Sequence, residues 1–345
     1  MPLRTDDFDF QLPAELIAQA PVEPRDASRL LVLHRNSGGT EHTRFRDLGR
    51  FLRRGDLLVA NESRVLQARL FGRKETGGVI ELLLLRRRDT LAWEALVRGK
   101  GIVPGVTLRF GPDERPLAGR IVESLPHGGR LIVFDQPVEP RLPELGVMPL
   151  PPYIRAALGD SERYQTVYSQ TTGSAAAPTA GLHFTPALIA QLRASGVEWT
   201  TVTLHVGLDT FRPVQVDDVT RHTMHSEQYE LPAVTADALN RARAEGRRIV
   251  AVGTTTVRVL ETAGQQAEEI GGLIQPTRGD TRIFIYPPYR FHLVDGLITN
   301  FHLPRSTLLM LVSALASREH ILSAYAEAIH QRYRFFSFGD AMLIV

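Results

Sequence analysis

The fold is decided by residues 235–263, which read TADALNRARAEGRRIVAVGTTTVRVLETA. A helical segment stops at Gly246, a buried strand follows, and a second helical segment begins after Gly253. A short apolar run of this kind is typical of a strand that is covered on both faces. The stretch therefore predicts an α/β domain in which strands and helices follow one another along the chain.

The same alternation continues on both sides of this stretch. Predicted helices cover residues 13–19, 186–195 and 306–317, and predicted strands cover residues 29–35, 197–207, 282–286 and 297–301. Pro186 suits the first turn of its helix, Gly196 suits its end, and Ser306 is the expected N-cap of the last helix. Repeated strand and helix units predict a largely parallel sheet.

Between Gly55 and about Val138 the pattern changes to short apolar strands separated by Gly, Pro and charged turns. The predicted strands are residues 56–61, 67–73, 78–85, 91–99, 106–110, 119–124 and 130–135. Near-regular spacing of short strands is typical of a small antiparallel β-barrel or sandwich. We therefore expect an α/β domain over 1–58 and 150–345, with an inserted β-barrel domain over 59–149.

Composition narrows the chemistry. The 345 residues include no cysteine, which excludes disulfides, thiol nucleophiles, Cys-ligated zinc and conventional iron–sulfur clusters. A net charge of +2 and a pI near 9.0 fit a nucleic-acid partner, but equally fit arginines on ordinary solvated faces. The polar N-terminus and the lack of a long apolar run predict a cytoplasmic protein without membrane contact.

A run of small and hydroxylic residues, TTGSAAAPTAGLHFT at 171–185, lacks the large apolar side chains that a packed element needs. It offers backbone, hydroxyls and the ring of His183, which suit a loop around a polar ligand. A flexible linker is the alternative, although linkers are usually charged or Pro-rich. We interpret the run as a ligand loop.

The ends of the predicted strands carry the other candidate groups. They are His205, Gly207 and Thr210 after one strand, Gly253, Thr254 and Thr255 after the next, and Asn300 and His302 after a third. Ligands of α/β folds bind beyond the carboxyl ends of strands, so we expect these residues to share a pocket. The Gly-Thr-Thr-Thr turn at a helix start suits an anionic group, and simple N-capping by Thr254 is the alternative.

The segment RHTMHSEQYE places His222, His225 and Glu227 within six residues. These side chains could bind a metal, could act as an acid–base pair in which one orients the other, or could be structural. A further ligand at a recognisable spacing is missing, so metal binding is the weakest of the three readings. The sequence does not rank the histidines 183, 205, 225 and 302 as catalysts.

Several long blocks together resemble one family, the S-adenosylmethionine:tRNA ribosyltransferase-isomerases of queuosine biosynthesis. They are residues 8–33, 55–72, 173–185, 204–214, 222–230, 251–261, 293–314 and 333–343, which include GSAAAPTAGLHFT, HTMHSEQYE, AVGTTTVRVLE and LITNFHLPRSTLLM. The resemblance extends over essentially the whole chain. It implies an α/β barrel-like catalytic domain with an inserted small antiparallel β-barrel domain, which agrees with the α/β domain and the insertion that the pattern predicts.

The resemblance further implies an enzyme that uses S-adenosylmethionine as a co-substrate and needs no metal. Its substrate would be tRNA with a GUN anticodon whose wobble base is 7-aminomethyl-7-deazaguanine, and its products epoxyqueuosine-tRNA, adenine and methionine. The chemistry requires a base for the ribose 5′ proton and an acid for the departing adenine. We expect a monomer without an obligate protein partner.

On this basis, His225 or Glu227 is the expected base, and His183 or His205 the expected acid, with His302 as a further catalytic candidate. The methionine carboxylate is expected at Gly253 and Thr254. The remaining expected contacts are Gly207, Thr210, Thr255 and Arg258 for S-adenosylmethionine, and Tyr164, Thr166, Tyr168 and Asn300 for tRNA.

Two positions depart from the family pattern. Asp209 stands where a glycine is expected, and Pro288 replaces the glycine of a Pro-Gly-Tyr, which excludes a positive φ there.

Two other classes of protein compete with the enzyme. One is a non-catalytic RNA-binding protein that uses the barrel; the other is an S-adenosylmethionine-dependent RNA methyltransferase, for which the Gly-rich cofactor turn is missing.

Overall fold

The computed structural model describes residues 3–207 and 214–345, which fall into two compact units. The α/β unit comprises the described residues within 1–63, 152–171 and 177–345. The barrel unit comprises residues 64–151 and 172–176. The assignment of catalysis to one of these units stays a prediction.

The described strands and helices are numbered in chain order. The strands are β1 Arg29–Leu33, β2 Thr40–Arg44, β3 Leu57–Asn61, β4 Ser63–Val65, β5 Arg69–Lys74, β6 Val79–Arg87, β7 Ala92–Arg98, β8 Thr107–Phe110, β9 Leu117–Ser124, β10 Gly129–Phe134, β11 Gly146–Val147, β12 Thr171–Ser174, β13 Glu198–Leu204, β14 Glu227–Leu231, β15 Ile249–Val252, β16 Thr277–Thr281, β17 Gly296–Asn300 and β18 Ala341–Ile344. The α-helices are α1 Leu142–Leu145, α2 Pro186–Ala194, α3 Ala233–Ala244, α4 Thr254–Glu269, α5 Thr307–Ala316 and α6 Arg318–His330.

The α/β unit is built on a nine-stranded mixed sheet of order β16-β14-β13-β3-β15-β17-β18-β1-β2. Strands β13, β3, β15 and β17 run parallel to one another, and β18 runs parallel to β1. The other neighbouring pairs are antiparallel. The predicted mixed α/β class is confirmed, whereas the prediction of a largely parallel sheet is correct for the centre only.

The central strands are buried along their whole length, which explains their lack of polar alternation. All residues of β3, β15, β17 and β18 are buried. Leu58, Val250 and Ile298 pack in one core with Leu188 and Leu192 of α2. Each such side chain stabilises the fold by about 1.5–3 kcal/mol relative to an exposed position.

Three predicted elements are wrong in type or place. Residues 57–61 form a central strand of the nine-stranded sheet, although their spacing grouped them with the barrel. The run 282–286 forms no strand, and the preceding polar residues Thr277–Thr281 pair with β14 instead. The predicted helix at 13–19 is a 3-10 turn over Ala14–Leu16. In each case the contacts that the segment makes in the folded protein, and not the preference of its local sequence, determine which element forms.

The barrel unit is a closed antiparallel barrel of six strands. Its order is β5-β6-β7-β10-β9-β8, and β8 pairs back with β5, while β11 adds to the outside of β5. A Cβ atom at Gly72 would overlap the carbonyl oxygen of Arg109 on β8, so closure requires glycine at this position. The predicted small antiparallel β-barrel is confirmed.

Asn61, at the carboxyl end of β3, connects three segments of the α/β unit. Its Nδ2 donates to the Leu204 carbonyl at 3.0 Å and to Thr255 Oγ1 at 3.2 Å. Its Oδ1 accepts the backbone N–H groups of Leu204 and Ser63, each at 3.0 Å. The side chain is fully buried, so it holds the end of β13 and the start of α4 in register with β3.

We expect Asn61→Ala to lower the free energy of unfolding by about 2–4 kcal/mol, because it leaves buried backbone groups of Leu204 and Ser63 unpaired. Urea unfolding measures the change. The exposed Asn36→Ala is the matched control and should stay within about 0.5 kcal/mol of the parent. Equal stability of the two variants would contradict the role of Asn61.

Candidate functional site

Because β13, β3, β15 and β17 are parallel, their carboxyl ends lie at one edge of the sheet. A pocket opens at this edge of the sheet. The pocket is lined by Tyr153, residues 177–180, Val206, residues 253–255, residues 299–303, Ser306, Leu308, Phe336 and Ser337. None of these residues is Asp, Glu, Lys or Arg.

One wall of the pocket is the start of α4. Gly253 has φ 91°, a conformation that favours glycine, and it turns the chain from β15 directly into the helix. Thr254 and Thr255 follow and line the pocket. The N–H groups of a first helical turn have no partner inside the helix, so this wall can bind an anionic group. Of the described strand-end residues expected to share one pocket, five line it and two, His205 and Gly207, do not. The five are Gly253, Thr254, Thr255, Asn300 and His302.

A second wall is the turn after β17, which contains His302. Its Nε2 lies 2.8 Å from Thr299 Oγ1, and its backbone N–H donates to the hydroxyl of Tyr325 at 2.9 Å. Burial lowers the pKa of His302 to about 3, so the ring is neutral at physiological pH. Of the four candidate histidines, His302 is the one that lines the pocket. Ser306 caps α5 through the N–H of Leu309, as predicted.

His183 lies behind this wall, in contact with Asn300. Its Nε2 is 3.2 Å from Asn300 Nδ2, and its Nδ1 is 2.7 Å from Ser28 Oγ. The ring stacks on Phe45 with a centroid distance of 5.0 Å. Burial, with smaller effects of Arg334 and Arg25, lowers the pKa of His183 to about 3. Both ring nitrogens are engaged, so the expectation that His183 protonates adenine does not fit its contacts.

His205 follows β13, and it does not line the pocket although its neighbour Val206 does. Successive side chains of an extended segment point to opposite sides, which separates the two residues. Burial lowers the pKa of His205, and Arg278 lowers it further against an opposing effect of Glu230. The geometry therefore disfavours His205 as the acid for a ligand in this pocket.

Glu227 is the centre of a buried network beside the end of β13. Its carboxylate pairs with Arg258 of α4, accepts the N–H of Gly207 at 2.8 Å, and lies 3.2 Å from His225 Nε2. Glu227 and Arg258 are each 3% exposed. The two acid–base candidates thus contact each other, as one of the sequence interpretations required. Arg258, predicted to contact the ligand, pairs with Glu227 and does not line the pocket.

Burial lowers the pKa of Arg258 to about 10, which leaves the guanidinium charged at neutral pH. A carboxylate that accepts from a charged guanidinium and a backbone N–H is stabilised in its ionised form. Glu227 is accordingly better suited to orient His225 than to take up a proton itself.

Two of the three expected tRNA contacts are buried. Tyr164 is fully buried and Thr166 is 4% exposed. Tyr168 is partly buried and packs edge-on against Trp199 at 5.1 Å and against the core cluster. The burial of Tyr164 and Thr166 argues against direct contacts with RNA, whereas the contact expected of Tyr168 stays a prediction. Asn300, in contrast, lines the pocket.

The structure adds site residues that the sequence did not indicate. Asn61 was missed because its strand was assigned to the barrel, although the strand-end rule applies to it directly. Ser28, Tyr153 and Phe336 come from segments distant in sequence. Tyr153 and Phe336 lie 4.9 Å apart by ring centroids, and the Tyr153 hydroxyl lies 2.6 Å from Ser337 Oγ. No local sequence signal separates these aromatic residues from ordinary core residues.

The run 171–185 is partly a pocket wall, as predicted, but it is not an exposed loop. Its residues Ala177 to Ala180 line the pocket, and Leu182, His183 and Phe184 are buried. Small side chains are required here because the segment packs beneath the ligand space. The expected Thr210, and Asp209 with its departure from the family, lie outside the described residues.

Pro288, the second departure, belongs to a loop that is fixed to α4 by a buried carboxylate. Glu261 accepts the N–H groups of His292, Leu293 and Val294 at 2.8–3.1 Å. The hydroxyl of Tyr289 donates to the same side chain at 3.2 Å. These contacts hold the residues after Pro288 in place.

Within the described residues, no three His, Cys, Asp or Glu side chains are close enough to hold a metal ion. None of the helices in residues 3–207 and 214–345 combines the length and apolar character that crossing a membrane requires.

Comparison with known proteins gives a consistent result. Residues 5–344 match the family described as queuosine biosynthesis protein. The S-adenosylmethionine:tRNA ribosyltransferase-isomerase of Symbiobacterium thermophilum is 57% identical over 99% of this chain and 100% of its own length. The protein of the same name from Moorella thermoacetica is 55% identical, with the same coverage.

A solved structure is also similar over nearly the whole chain. The crystal structure of S-adenosylmethionine tRNA ribosyltransferase from Thermotoga maritima is 43% identical, covers 98% of this chain and 100% of its own, and superposes with a TM-score of 0.56.

The neutral histidines predict acid sensitivity. Above pH 6.5 the His302 ring is neutral in both the folded and unfolded states. As the pH falls from 6.5 towards 3, the unfolded state takes up a proton that the folded state does not, so stability falls. Replacing His302 with Gln should therefore reduce the loss of unfolding free energy between pH 7 and pH 5 by about 2 kcal/mol.

Urea unfolding at the two pH values measures this difference. His330→Gln is the control, because His330 is exposed, and it should leave the pH dependence unchanged. An identical pH dependence in His302→Gln and the parent would show that the folded His302 binds its proton normally.

Proposed function

Because the chain belongs to the S-adenosylmethionine:tRNA ribosyltransferase-isomerases of queuosine biosynthesis, a family of transferases that act on tRNA, we propose its substrate and products. It transfers and isomerises the ribosyl group of S-adenosylmethionine onto the 7-aminomethyl-7-deazaguanine wobble base of tRNA with a GUN anticodon. The products are epoxyqueuosine-tRNA, adenine, methionine and one proton. The protein acts as a cytoplasmic monomer.

This proposal rests on one observation. The same pocket contains the N-terminus of α4 and a wall of uncharged polar side chains. The first turn of α4 suits the methionine carboxylate, and the side of the pocket with Thr299, Asn300 and His302 suits an uncharged heterocycle. These residues fit S-adenosylmethionine, which when bound supplies an activated ribosyl group with an acidified 5′ carbon.

We assign the carboxylate contact to the N–H groups after Gly253, with the hydroxyls of Thr254 and Thr255. Asn61 supports this assignment, because its Nδ2 donates to Thr255 Oγ1 and sets the orientation of that hydroxyl. Arg258 acts on the site through Glu227 rather than by contact with the carboxylate.

We assign proton abstraction to His225 because its Nε2 lies 3.2 Å from the carboxylate of Glu227, which orients the ring, although His225, like His205, is not among the described residues that line the pocket. A carboxylate beside an imidazole fixes the ring orientation and stabilises the imidazolium that forms when the ring takes a proton. For the adenine side, His302 replaces the earlier candidates His183 and His205. A neutral imidazole can donate an N–H to a departing nitrogen base without itself being an imidazolium.

The discriminating test is incubation with S-adenosylmethionine and tRNA that carries the aminomethyl base. We expect stoichiometric free adenine and methionine, and a tRNA mass increase that corresponds to the ribosyl-derived group. Release of S-adenosylhomocysteine would indicate a methyltransferase. Binding of the tRNA without any release would indicate an RNA-binding protein.

His225→Asn should lower kcat for adenine release by about 10²–10⁴, the usual contribution of a general base. Its urea midpoint should stay near that of the parent. His222→Asn is the matched control, three residues away and packed on Phe284 at 5.1 Å, and should keep most of the activity. Full activity of the folded His225→Asn variant would remove His225 from the base role.

A further inference from the structure

The side-chain amide of Asn300 makes hydrogen bonds through its nitrogen but, among the described residues, none through its oxygen. The residue is 3% exposed, and its Nδ2 lies 3.2 Å from both the Phe336 carbonyl oxygen and His183 Nε2. Within the described part of the chain, its Oδ1 has no hydrogen-bond partner. A buried acceptor without a partner is uncommon and is costly unless a ligand supplies the donor.

The orientation of this amide is fixed by chemistry. The Phe336 carbonyl can only accept, so the amide nitrogen must face it. The same carbonyl accepts the N–H of Gly339 at 2.9 Å, and Phe336 has φ 70°, which is unusual for an aromatic residue. The backbone there is held in a rare conformation that presents its oxygen to Asn300. The amide oxygen is thereby left on the side that lacks a protein donor.

His183 completes the arrangement. Since Asn300 Nδ2 is a donor, His183 Nε2 must accept, and the hydrogen of the neutral ring is on Nδ1, where it donates to Ser28 Oγ. A protonated ring would place two donors against each other at Nε2. Burial keeps the pKa of His183 low, so the ring remains an acceptor at neutral pH. His183 is therefore a positioning residue for Asn300.

The surroundings of Asn300 limit which donor can meet its Oδ1. Among the described residues that line the pocket, none is a carboxylate that could balance an ammonium group. Tyr153 and Phe336 provide flat apolar surfaces, and Thr299 and His302 provide neutral polar groups. A neutral planar heterocycle with an amino substituent fits this environment better than a charged amine does.

We propose that Asn300 recognises the nucleobase of the co-substrate. Its Oδ1 accepts an N–H of the 6-amino group of adenine. His183 and the Phe336 carbonyl hold the amide in the orientation that this hydrogen bond requires. The inference rests on the proposed function, in which S-adenosylmethionine occupies the pocket. It adds a specificity-determining residue and a positioning residue for that ligand.

The test compares two ligands that differ at one position of the base. S-adenosylhomocysteine has the 6-amino donor, whereas S-inosylhomocysteine has a 6-oxo acceptor, which would face the amide oxygen. By calorimetric titration, the parent protein should bind the adenine ligand more tightly by roughly tenfold to a hundredfold. Asn300→Ala should reduce this preference to less than about threefold, mainly by weakening the adenine ligand.

His183→Leu tests the positioning role, because it removes the acceptor for Nδ2 and should also reduce the preference for the adenine ligand. Thr179→Ser is the control from another wall of the same pocket, and it should keep the preference. A purely structural role predicts equal weakening of both ligands, and that result would overturn the proposal. A parent protein without preference would overturn it as well.

The same comparison can be made on turnover if either variant is unstable or binding is too weak to titrate. The ratio of kcat/KM for S-adenosylmethionine and S-inosylmethionine should fall in Asn300→Leu, which keeps a similar side-chain volume but has no amide oxygen to accept the 6-amino group. An unchanged ratio would overturn the proposal. If the parent releases no adenine from S-adenosylmethionine, the proposed function fails, while the binding preference still decides the role of Asn300.

Discussion

Parallel pairing of β13, β3, β15 and β17 is the constraint on which the site depends. Parallel strands place their carboxyl ends at one edge, so segments far apart in sequence supply one pocket there. Asn61 fixes the register of this edge, since it bonds to the end of β13 and to Thr255. The pocket is therefore a consequence of strand order rather than of any single motif.

Burial then determines the chemistry of each group. His183 and His302 are held neutral, and a neutral ring can be a defined hydrogen-bond acceptor or donor. The charges of Glu227 and Arg258 are paired with each other outside the pocket lining. The described residues that line the ligand space are thus uncharged, which suits discrimination between similar heterocycles more than general attraction of anions.

Much of the fold could be predicted from the pattern of apolar residues and glycines along the sequence. The uninterrupted apolar run 249–252 predicted a covered strand, Gly253 predicted the turn into α4, and regular short strands predicted the barrel that closes at Gly72. Errors arose where two structures share one local pattern. The apolar run 57–61 suits a barrel strand and a central sheet strand equally, and only its pairing with β13 and β15 separates them.

The sequence by itself determined the chemical class through the long family blocks. The strand-end residues predicted a shared polar pocket, and the His225 and Glu227 pair stayed open between acid–base, metal-binding and structural roles. Only the tertiary structure decided which of those residues face a ligand, because burial and partners are set by contacts between distant segments. Tyr164 was an expected RNA contact in sequence but is fully buried. Asn300 was a strand-end candidate, but only the structure shows that His183 and the Phe336 carbonyl, 117 and 36 residues away, occupy its Nδ2 and leave its Oδ1 without a hydrogen-bond partner among the described residues.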